Sequence, residues 1–263
     1  EADEMLTMGF KEDLEAILAE TPSKKQTLLF SATISKRIIT ITKKYMNQPI
    51  EISATGVNLG ADNVEHLYYM VHAKDRYEVL KRIADSNPNI YGITFCRTRK
   101  ETKEISNKLM QDGYNADAIH GDLSQAQRDE VMNRFRNRKL QLLVATDVAA
   151  RGLDVHDLTH VINYNLPDDE EIYVHRSGRT GRAGKSGISI AIIHTREIGR
   201  IRAIERISKI KFSNELVPSG KDICQRQLYA LIDKIGKVEV DEHQIEPFLP
   251  TIYEKFEGLD REE

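Results

Sequence analysis

Cysteine is scarce in this sequence, and it has no long apolar run. Its two cysteines, Cys96 and Cys224, lie far apart in the chain. Zinc sites need closely spaced cysteines or histidines and disulfide frameworks need several pairs, so both kinds of site are excluded. This usage is typical of a reducing compartment, and we expect a cytoplasmic location. Because no apolar run approaches the roughly 18 residues that cross a bilayer, we expect no membrane partner.

An excess of charge of one sign is also absent. Lysine and arginine together number 38 and aspartate and glutamate 41, which gives a net charge of −3. Such a chain has no overall attraction for polyanions, so any surface that binds nucleic acid must be local. Repeats of the solenoid type and low-complexity tracts are missing as well. With 263 residues, 40% of them hydrophobic, the chain is predicted to be globular.

The middle of the chain repeats a short apolar run, a turn and a segment of helical periodicity. This alternation predicts an α/β fold, a doubly wound parallel sheet covered by helices, over roughly residues 60–211. The predicted strands are 64–71, 91–96, 115–120, 140–146, 158–165 and 187–194, and the predicted helices are 75–86, 99–111, 125–138 and 197–209. Two helix starts carry capping boxes, Thr98 with Glu101 and Ser124 with Gln127.

A shorter piece with the same pattern precedes this domain. Its predicted helices are 11–20 and 35–46, and its predicted strands are 27–30 and 50–53. Since two or three strands make a poor independent sheet, this piece is predicted to be the tail of a preceding α/β domain. The predicted domains are thus residues 1–55, a linker at 56–63, the main domain at 64–211 and a helical extension at 212–263.

The extension contains a predicted helix at 222–235 with an apolar stripe. The stripe consists of Ile223, Leu228, Leu231, Ile232 and Ile235. It can face either the core of its own domain or a second subunit, and packing on its own domain is the preferred interpretation.

The strongest motif of the chain is His175-Arg-Ser-Gly-Arg-Thr-Gly-Arg182, which spaces three arginines evenly with glycines between them. Glycines allow close approach of the backbone to a ligand, and guanidinium groups match phosphate oxygens bidentately. The pattern therefore favours a phosphoryl-transfer site. The alternative is an exposed basic loop.

A second motif, Ala145-Thr-Asp-Val-Ala-Ala-Arg-Gly-Leu-Asp154, follows directly on an apolar strand. Ligands of open parallel sheets bind beyond the carboxyl ends of the strands, so this cluster is placed for a site. A turn with Asp147 as a helix cap would explain Thr146 and Asp147 alone. A third stretch, 181–186, ends like a P-loop, but that loop requires glycine at position 179, which is Arg179.

These motifs, taken in order, resemble the DEAD-box family of RNA helicases. Glu1-Ala2-Asp3 is similar to the last three letters of the family's Asp-Glu-Ala-Asp motif, and Ser31-Ala32-Thr33 to its Ser-Ala-Thr motif. Phe95, Gln125-Ala-Gln-Arg128 and the two longer motifs follow in the family's order. The resemblance implies a RecA-like domain, ATP and Mg²⁺ as cofactors, and a chain that begins inside the acidic motif and lacks its first RecA-like domain.

The resemblance also implies roles for individual residues on the ATP side. Glu1 orients the attacking water and binds the metal, and Asp3 bridges to Ser31 and Thr33. Arg179 and Arg182 reach the terminal phosphate as arginine fingers. Gly152 and Asp154 lie at the nucleotide, with Asp154 near the ribose.

On the RNA side, the resemblance implies that Gly121, Arg128 and Thr146 approach the sugar-phosphate backbone and give little sequence specificity. His175 couples the ATP and RNA sites. The expected partners are RNA, the missing first domain and a second copy bound through the extension.

The predicted function is that of an ATP-dependent RNA helicase, which this chain alone does not perform. One alternative is a non-catalytic fragment that binds RNA or dimerises. A second alternative is a DNA helicase of the same superfamily.

Overall fold

A computed structural model of the chain describes residues 10–22, 24–31, 36–52, 63–150, 155, 158–181, 184–238 and 245–257. The chain divides into two compact units, Glu1–Val57 and Asn58–Glu263. The domain boundaries predicted from the sequence stay predictions.

The described residues of the first unit form the helices α1 (Lys11–Ala19) and α2 (Lys36–Tyr45), as predicted. Ile38 and Ile41 are buried and pack with Leu14, Leu29 and Tyr45.

The two strands predicted in this unit are wrong over its described residues, because 27–30 and 50–52 have no strand structure. Most of their apolar side chains are exposed, Phe30 by 77% and Ile52 by 88%, and Leu29 is half-buried. A strand forms only where neighbouring strands bind its backbone groups, and the described part of this unit offers none.

The second unit is built on a sheet of seven parallel strands, in the order β3-β4-β2-β5-β6-β1-β7. The strands are β1 (Val64–Met70), β2 (Gly92–Phe95), β3 (Ala116–Ile119), β4 (Leu142–Ala145), β5 (His160–Asn163), β6 (Gly187–Ile193) and β7 (Ser213–Glu215). The helices are α3 (Arg76–Asp85), α4 (Arg99–Gln111), α5 (Gln125–Arg136), α6 (Asp147–Ala150), α7 (Glu170–Ser177), α8 (Ile198–Ser208), α9 (Gly220–Gly236) and α10 (Leu249–Phe256). The doubly wound fold is therefore confirmed.

Helices cover both faces of this sheet. On one face α3 and α4 pack on alternate strand residues such as Leu142 and Val144. On the opposite face α5 and α6 pack on Leu143 and Ala145, while α7 and α8 pack on Ala191 and Ile193. The central strands are apolar on both sides because both sides are covered. The strands are all parallel, so their carboxyl ends lie together along one side of the sheet, the carboxyl edge, and their amino ends lie along the opposite side, the amino edge. At the carboxyl edge the connections leave for opposite faces of the sheet.

The six strands predicted in this domain are confirmed, each slightly shorter than predicted. Sequence patterns missed β7, α6 and α7. The strand β7, Ser-Asn-Glu, is exposed throughout and has no apolar alternation. It forms because the edge of β1 offers unpaired backbone groups.

The capping prediction is confirmed at α5, where Ser124 and Gln127 form a reciprocal box. At α4 the Thr98 hydroxyl accepts from the Glu101 N–H, but the Glu101 carboxylate accepts from the N–H of Arg97.

The extension packs on α3 through few polar contacts. Gln227 Nε2 donates to the Asp85 carbonyl at 2.9 Å, and Arg82 Nη1 donates to the Pro218 carbonyl at 3.2 Å. Four of the five residues of its apolar stripe are exposed, since Leu228, Leu231, Ile232 and Ile235 each keep more than half of their surface in solvent, while Ile223 is half-buried. The preferred interpretation, in which this stripe packs on its own domain, is therefore wrong for these four residues.

Candidate functional site

The predicted site residues fall in three places. Six lie outside the described residues: Glu1, Asp3, Thr33, Gly152, Asp154 and Arg182. Ser31 lies in the first unit and is half-buried. Gly121, Arg128, Thr146, His175 and Arg179 lie in the second unit, where the structure determines their surroundings.

Two residues that were predicted to bind RNA, Thr146 and Arg128, both contact Ala149 of α6, at the carboxyl edge of the sheet. Thr146 follows β4 directly and is buried, and its Oγ1 accepts from the N–H of Ala149 at 3.4 Å. Arg128, on α5, donates from Nη2 to the carbonyl of the same Ala149 at 3.3 Å. The guanidinium of Arg128 is therefore held beside the turn that Thr146 begins.

Gly121, after β3, lies on the same edge within a basic cluster. A Cβ built on this exposed glycine would be 3.7 Å from Arg99 Cδ. Asp122 accepts from Lys103 at 3.3 Å and from Arg99 at 2.5 Å, and these hydrogen bonds hold the pKa of the Asp122 carboxyl below its usual range. With Arg128, the cluster has three cations for one carboxylate, so this part of the edge attracts anions.

Arg179 lies at the opposite, amino edge. Its N–H donates to the Arg176 carbonyl at 3.0 Å, which continues the end of α7. The next residue, Thr180, is bridged to Leu158, two residues before β5, and its hydroxyl donates to the Leu158 carbonyl. Arg179 is half-buried and lines a small cavity of about 70 Å³ with Lys185 and the hydroxyl-bearing Thr159 and Ser186.

A glycine shapes the loop that carries Arg179. Gly181 has a φ of +67°, and a Cβ built on it would lie 2.4 Å from Val64 Cγ2. Any other residue would strain the backbone and displace β1. The glycine of the motif is therefore required for packing.

The side chain of Arg176 joins the two edges, and sequence reasoning gave it no role. It is 3% exposed. Its Nε and Nη2 donate to the two carboxylate oxygens of Asp147 at 2.6 and 2.8 Å. Its Nη1 donates to Asn163 Oδ1 and to the Asn165 carbonyl, both at 2.8 Å, and its Cζ lies 4.8 Å from the Phe95 ring centroid.

Asp147 is not the helix cap that the alternative interpretation of the sequence made it. Its carboxylate is the bidentate partner of Arg176, and the side chain that caps α6 is that of Thr146. Because Asp147 follows Thr146 and Arg176 precedes Arg179 by one helical turn, this ion pair connects the turn of Thr146 to the helix that leads to Arg179.

The rest of α7 is anchored by a buried polar chain. Tyr173 is fully buried, and its hydroxyl lies 2.9 Å from both His66 Nδ1 and Ser189 Oγ. Burial lowers the pKa of His66 to about 4, so this imidazole is neutral at pH 7. Tyr173 and Arg176 are three residues apart on one helical face, and recognising α7 in the sequence would have predicted that Arg176 is buried.

Membrane-spanning helices and metal-binding clusters are absent from the described ranges. No helix there combines the length and the apolar character needed to span a bilayer. No group of three or more His, Cys, Asp or Glu residues suited to a metal ion occurs in them, and the predicted magnesium ligand Glu1 lies outside them.

Comparison with known proteins assigns the family. The model "Helicase conserved C-terminal domain" matches residues 75–184, which include the Arg176 network. "DEAD/DEAH box helicase" matches residues 1–41, and "Probable ATP-dependent RNA helicase, helical domain" matches residues 223–263. The chain is also 43% identical, over 90% of its length, to the DEAD-box ATP-dependent RNA helicase CshA of Geobacillus kaustophilus. The chain belongs to the DEAD-box helicase family.

This DEAD-box chain spans about half the length of the curated relatives that it matches. It covers 51% of the Geobacillus kaustophilus protein. The CshA of Listeria monocytogenes is 41% identical over 99% of the chain, which covers 50% of that protein.

Solved structures of DEAD-box proteins are similar as well. Saccharomyces cerevisiae Dbp5 bound to RNA and ADP BeF3 has a TM-score of 0.78 at 27% identity, over 87% of this chain and 60% of that chain. A DEAD box protein of Methanococcus jannaschii has a TM-score of 0.57 at 47% identity, over 82% of this chain and 58% of that chain.

Proposed function

We propose that this DEAD-box chain is the carboxyl-terminal part of a cytoplasmic ATP-dependent RNA helicase, which couples ATP hydrolysis to RNA binding and local unwinding of duplexes. The observation that carries the proposal is the ion pair between the buried Arg176 and the half-buried Asp147. It ties the turn of Thr146 at one sheet edge to the helix that leads to Arg179 at the other.

On the RNA side, Gly121, Arg128 and Thr146 bind the sugar-phosphate backbone. Gly121 is exposed, without a side chain, in a cluster of net positive charge, so a phosphate can approach the main chain there. Arg128 supplies donors fixed by its contact with Ala149. Contacts of this kind position a strand without reading its bases, which suits a helicase of low sequence specificity.

On the ATP side, Arg179 binds the terminal phosphate. The cavity that it lines also contains Lys185 and the hydroxyls of Thr159 and Ser186, and these donors match phosphate oxygens. Arg182, Gly152 and Asp154 belong to the same proposed site on the family's motifs. In the first unit, the same motifs assign catalytic roles to Glu1, Asp3, Ser31 and Thr33, and Glu1 would hold a Mg²⁺ ion that would neutralise phosphate charge.

The helix α7 couples RNA binding to ATP hydrolysis in this proposal. His175 and Arg176 are neighbours on this helix, and Arg176 cannot move without breaking a bidentate pair and two further hydrogen bonds. A displacement of the Thr146 turn by RNA is therefore transmitted to Arg179 through packed, charged contacts.

The experiment compares two polypeptides. We expect the full-length protein, with a complete first RecA-like domain, to hydrolyse ATP faster when single-stranded RNA is added. Residues 1–263 alone should hydrolyse ATP negligibly, with or without RNA. Magnesium-dependent hydrolysis by the purified chain alone would contradict the proposal, and stimulation by DNA equal to that by RNA would favour the DNA helicase alternative.

The exposed stripe of α9 supports a second proposal, that two copies of the protein associate through the extension. Leu228, Leu231, Ile232 and Ile235 form a contiguous exposed apolar surface, which monomeric proteins rarely present. Sedimentation equilibrium should show a dimer that Leu231→Glu converts to a monomer. A wild-type monomer at all concentrations would contradict this proposal and leave the helicase proposal intact.

A further inference from the structure

A cavity in the second unit lies away from the proposed RNA and ATP residues. It has a volume of about 430 Å³ and lies at the carboxyl ends of β1 and β6. Its lining residues are Met70, Val71, His72, Ala73, His194, Thr195 and Arg196. It is thus apolar where β1 ends and polar where β6 ends.

The topology of the sheet creates this cavity. β1 and β6 are parallel neighbours, but β1 leads to α3 on one face and β6 leads to α8 on the other. Such a switch point opens a crevice beyond the strand ends, which is where open α/β sheets bind ligands. Because all seven strands are parallel, the crevice lies on the same edge as Gly121, Arg128 and Thr146.

Two cations at the crevice are unpaired. The side chain of Arg196, which lines the crevice, and that of Lys74, which follows the lining residue Ala73, form no hydrogen bond or ion pair with any part of the chain that the structure describes. Two nearby carboxylates are already engaged. Glu197 is paired with Arg76 and lies 3.6 Å from His194 Nε2, and Asp168 contacts Arg97 and Arg200. The other acidic groups nearby are Asp75, at the start of α3, and Glu215, at the end of β7 beside β1.

Arginines connect the crevice to the proposed RNA residues along the edge. Arg99 lies beside Gly121, and Arg97 follows β2 and contacts Asp168 at 3.4 Å. Arg200, on α8, contacts the same Asp168 at 2.9 Å, one turn from Arg196. Neighbouring strands are about 4.8 Å apart, so the three spacings from β4 to β6 span roughly 14 Å.

We propose that this crevice binds one more nucleotide of the same single RNA strand, outside the segment held by Gly121, Arg128 and Thr146. Met70, Val71 and Ala73 receive the base, and Arg196 and Lys74 receive the phosphate. The inference rests on the proposed function. RNA fits better than an acidic peptide because the charged track is continuous with the residues proposed to hold RNA.

The test measures affinity against RNA length in the full-length protein with a non-hydrolysable ATP analogue. Fluorescence anisotropy with unstructured oligoribonucleotides of about 6 to 16 nucleotides should show affinity that rises with length. Arg196→Ala with Lys74→Ala should weaken binding of the longest oligomer by about 10-fold, lower its salt slope by about 1, and leave the shortest oligomer unchanged.

A matched control removes a cation from the far end of α8, the helix that follows Arg196. Arg206 is exposed in the last turn of α8, and this helix of 11 residues is about 16 Å long. Arg206→Ala should leave the affinity for every length unchanged.

The outcomes separate this inference from the proposed function. If the double variant binds every length like the wild type while Arg128→Ala still weakens binding, the crevice is not an RNA site and the helicase proposal stands. Equal weakening at every length would also overturn the inference, because the crevice would then not lie outside the main segment. If Arg128→Ala has no effect at any length, the RNA side of the proposed function fails.

Discussion

The carboxyl and amino edges of the seven-stranded sheet differ in how their charged side chains are held. At the carboxyl edge Arg99, Lys103 and Arg128 contact acceptors on neighbouring elements. At the amino edge Arg179 lines a small cavity on a loop whose shape depends on Gly181. Arg176 lies on the helix that leads to the amino edge, and its buried guanidinium contacts Asp147 at the carboxyl edge. Arg176 and Arg179 show that two arginines three residues apart in one motif can have different surroundings, one in a buried network and one at a cavity.

The largest expected effect comes from the amino edge. Arg179→Ala in the full-length protein should lower RNA-stimulated ATP hydrolysis by about 10³-fold or more, because a guanidinium at a phosphoryl-transfer site contributes that much. RNA affinity in the presence of a non-hydrolysable ATP analogue should change little. Steady-state hydrolysis and anisotropy on one preparation check both expectations. Near-normal hydrolysis would remove Arg179 from the ATP side.

An intermediate effect is expected from the connection between the edges. Arg176→Met leaves the half-buried carboxylate of Asp147 without its partner and should destabilise the unit by about 1 to 3 kcal/mol in urea unfolding. Arg176→Lys keeps the charge but loses the planar fork, so it should recover stability only in part.

A second readout separates coupling from stability. The factor by which an ATP analogue tightens RNA binding should fall toward 1 in Arg176→Lys, measured where this variant is fully folded. If the factor keeps its wild-type value, the Arg176–Asp147 pair has only a structural role and does not couple the two edges of the sheet.

The smallest effect is expected at the carboxyl edge. Arg128→Ala should weaken RNA binding by about 10-fold, the worth of a hydrogen bond to a charged group, and lower the salt slope by about 1. The rate of hydrolysis at saturating RNA should stay within a few-fold of wild type. Arg128→Ala is thus expected to lower RNA affinity and spare hydrolysis, whereas Arg179→Ala is expected to lower hydrolysis and spare RNA affinity. Weakening confined to particular RNA sequences would contradict a backbone contact.

Several parts of the fold were predictable because their patterns are local. The apolar run before Thr146 predicted β4, and Ser124 with Gln127 predicted the start of α5. The helix α7 was missed because its polar sequence, with glycines after it, was interpreted as a loop. With α7 missed, the burial of Arg176 could not be foreseen, although Tyr173 one turn earlier carried the signal.

The two ends of the chain show the limits of such patterns. The segments 27–30 and 50–52 have strand-like composition but no strand structure, because pairing depends on neighbours and not on the segment. The apolar stripe of α9 predicted a packed face, yet Leu231 and Ile232 are exposed. An amphipathic pattern shows that a face can be buried and does not identify what covers it.

The sequence by itself determined the parallel α/β character of residues 64–211, the order of the motifs and the family, because apolar periodicity and motif spacing are properties of the chain. Only the tertiary structure decided that Asp147 pairs with Arg176 and that arginines from β2 to β6 line one edge. The physical reason is that such contacts join residues distant in sequence. Which of them meet depends on the order of the strands and on the faces to which their connections lead.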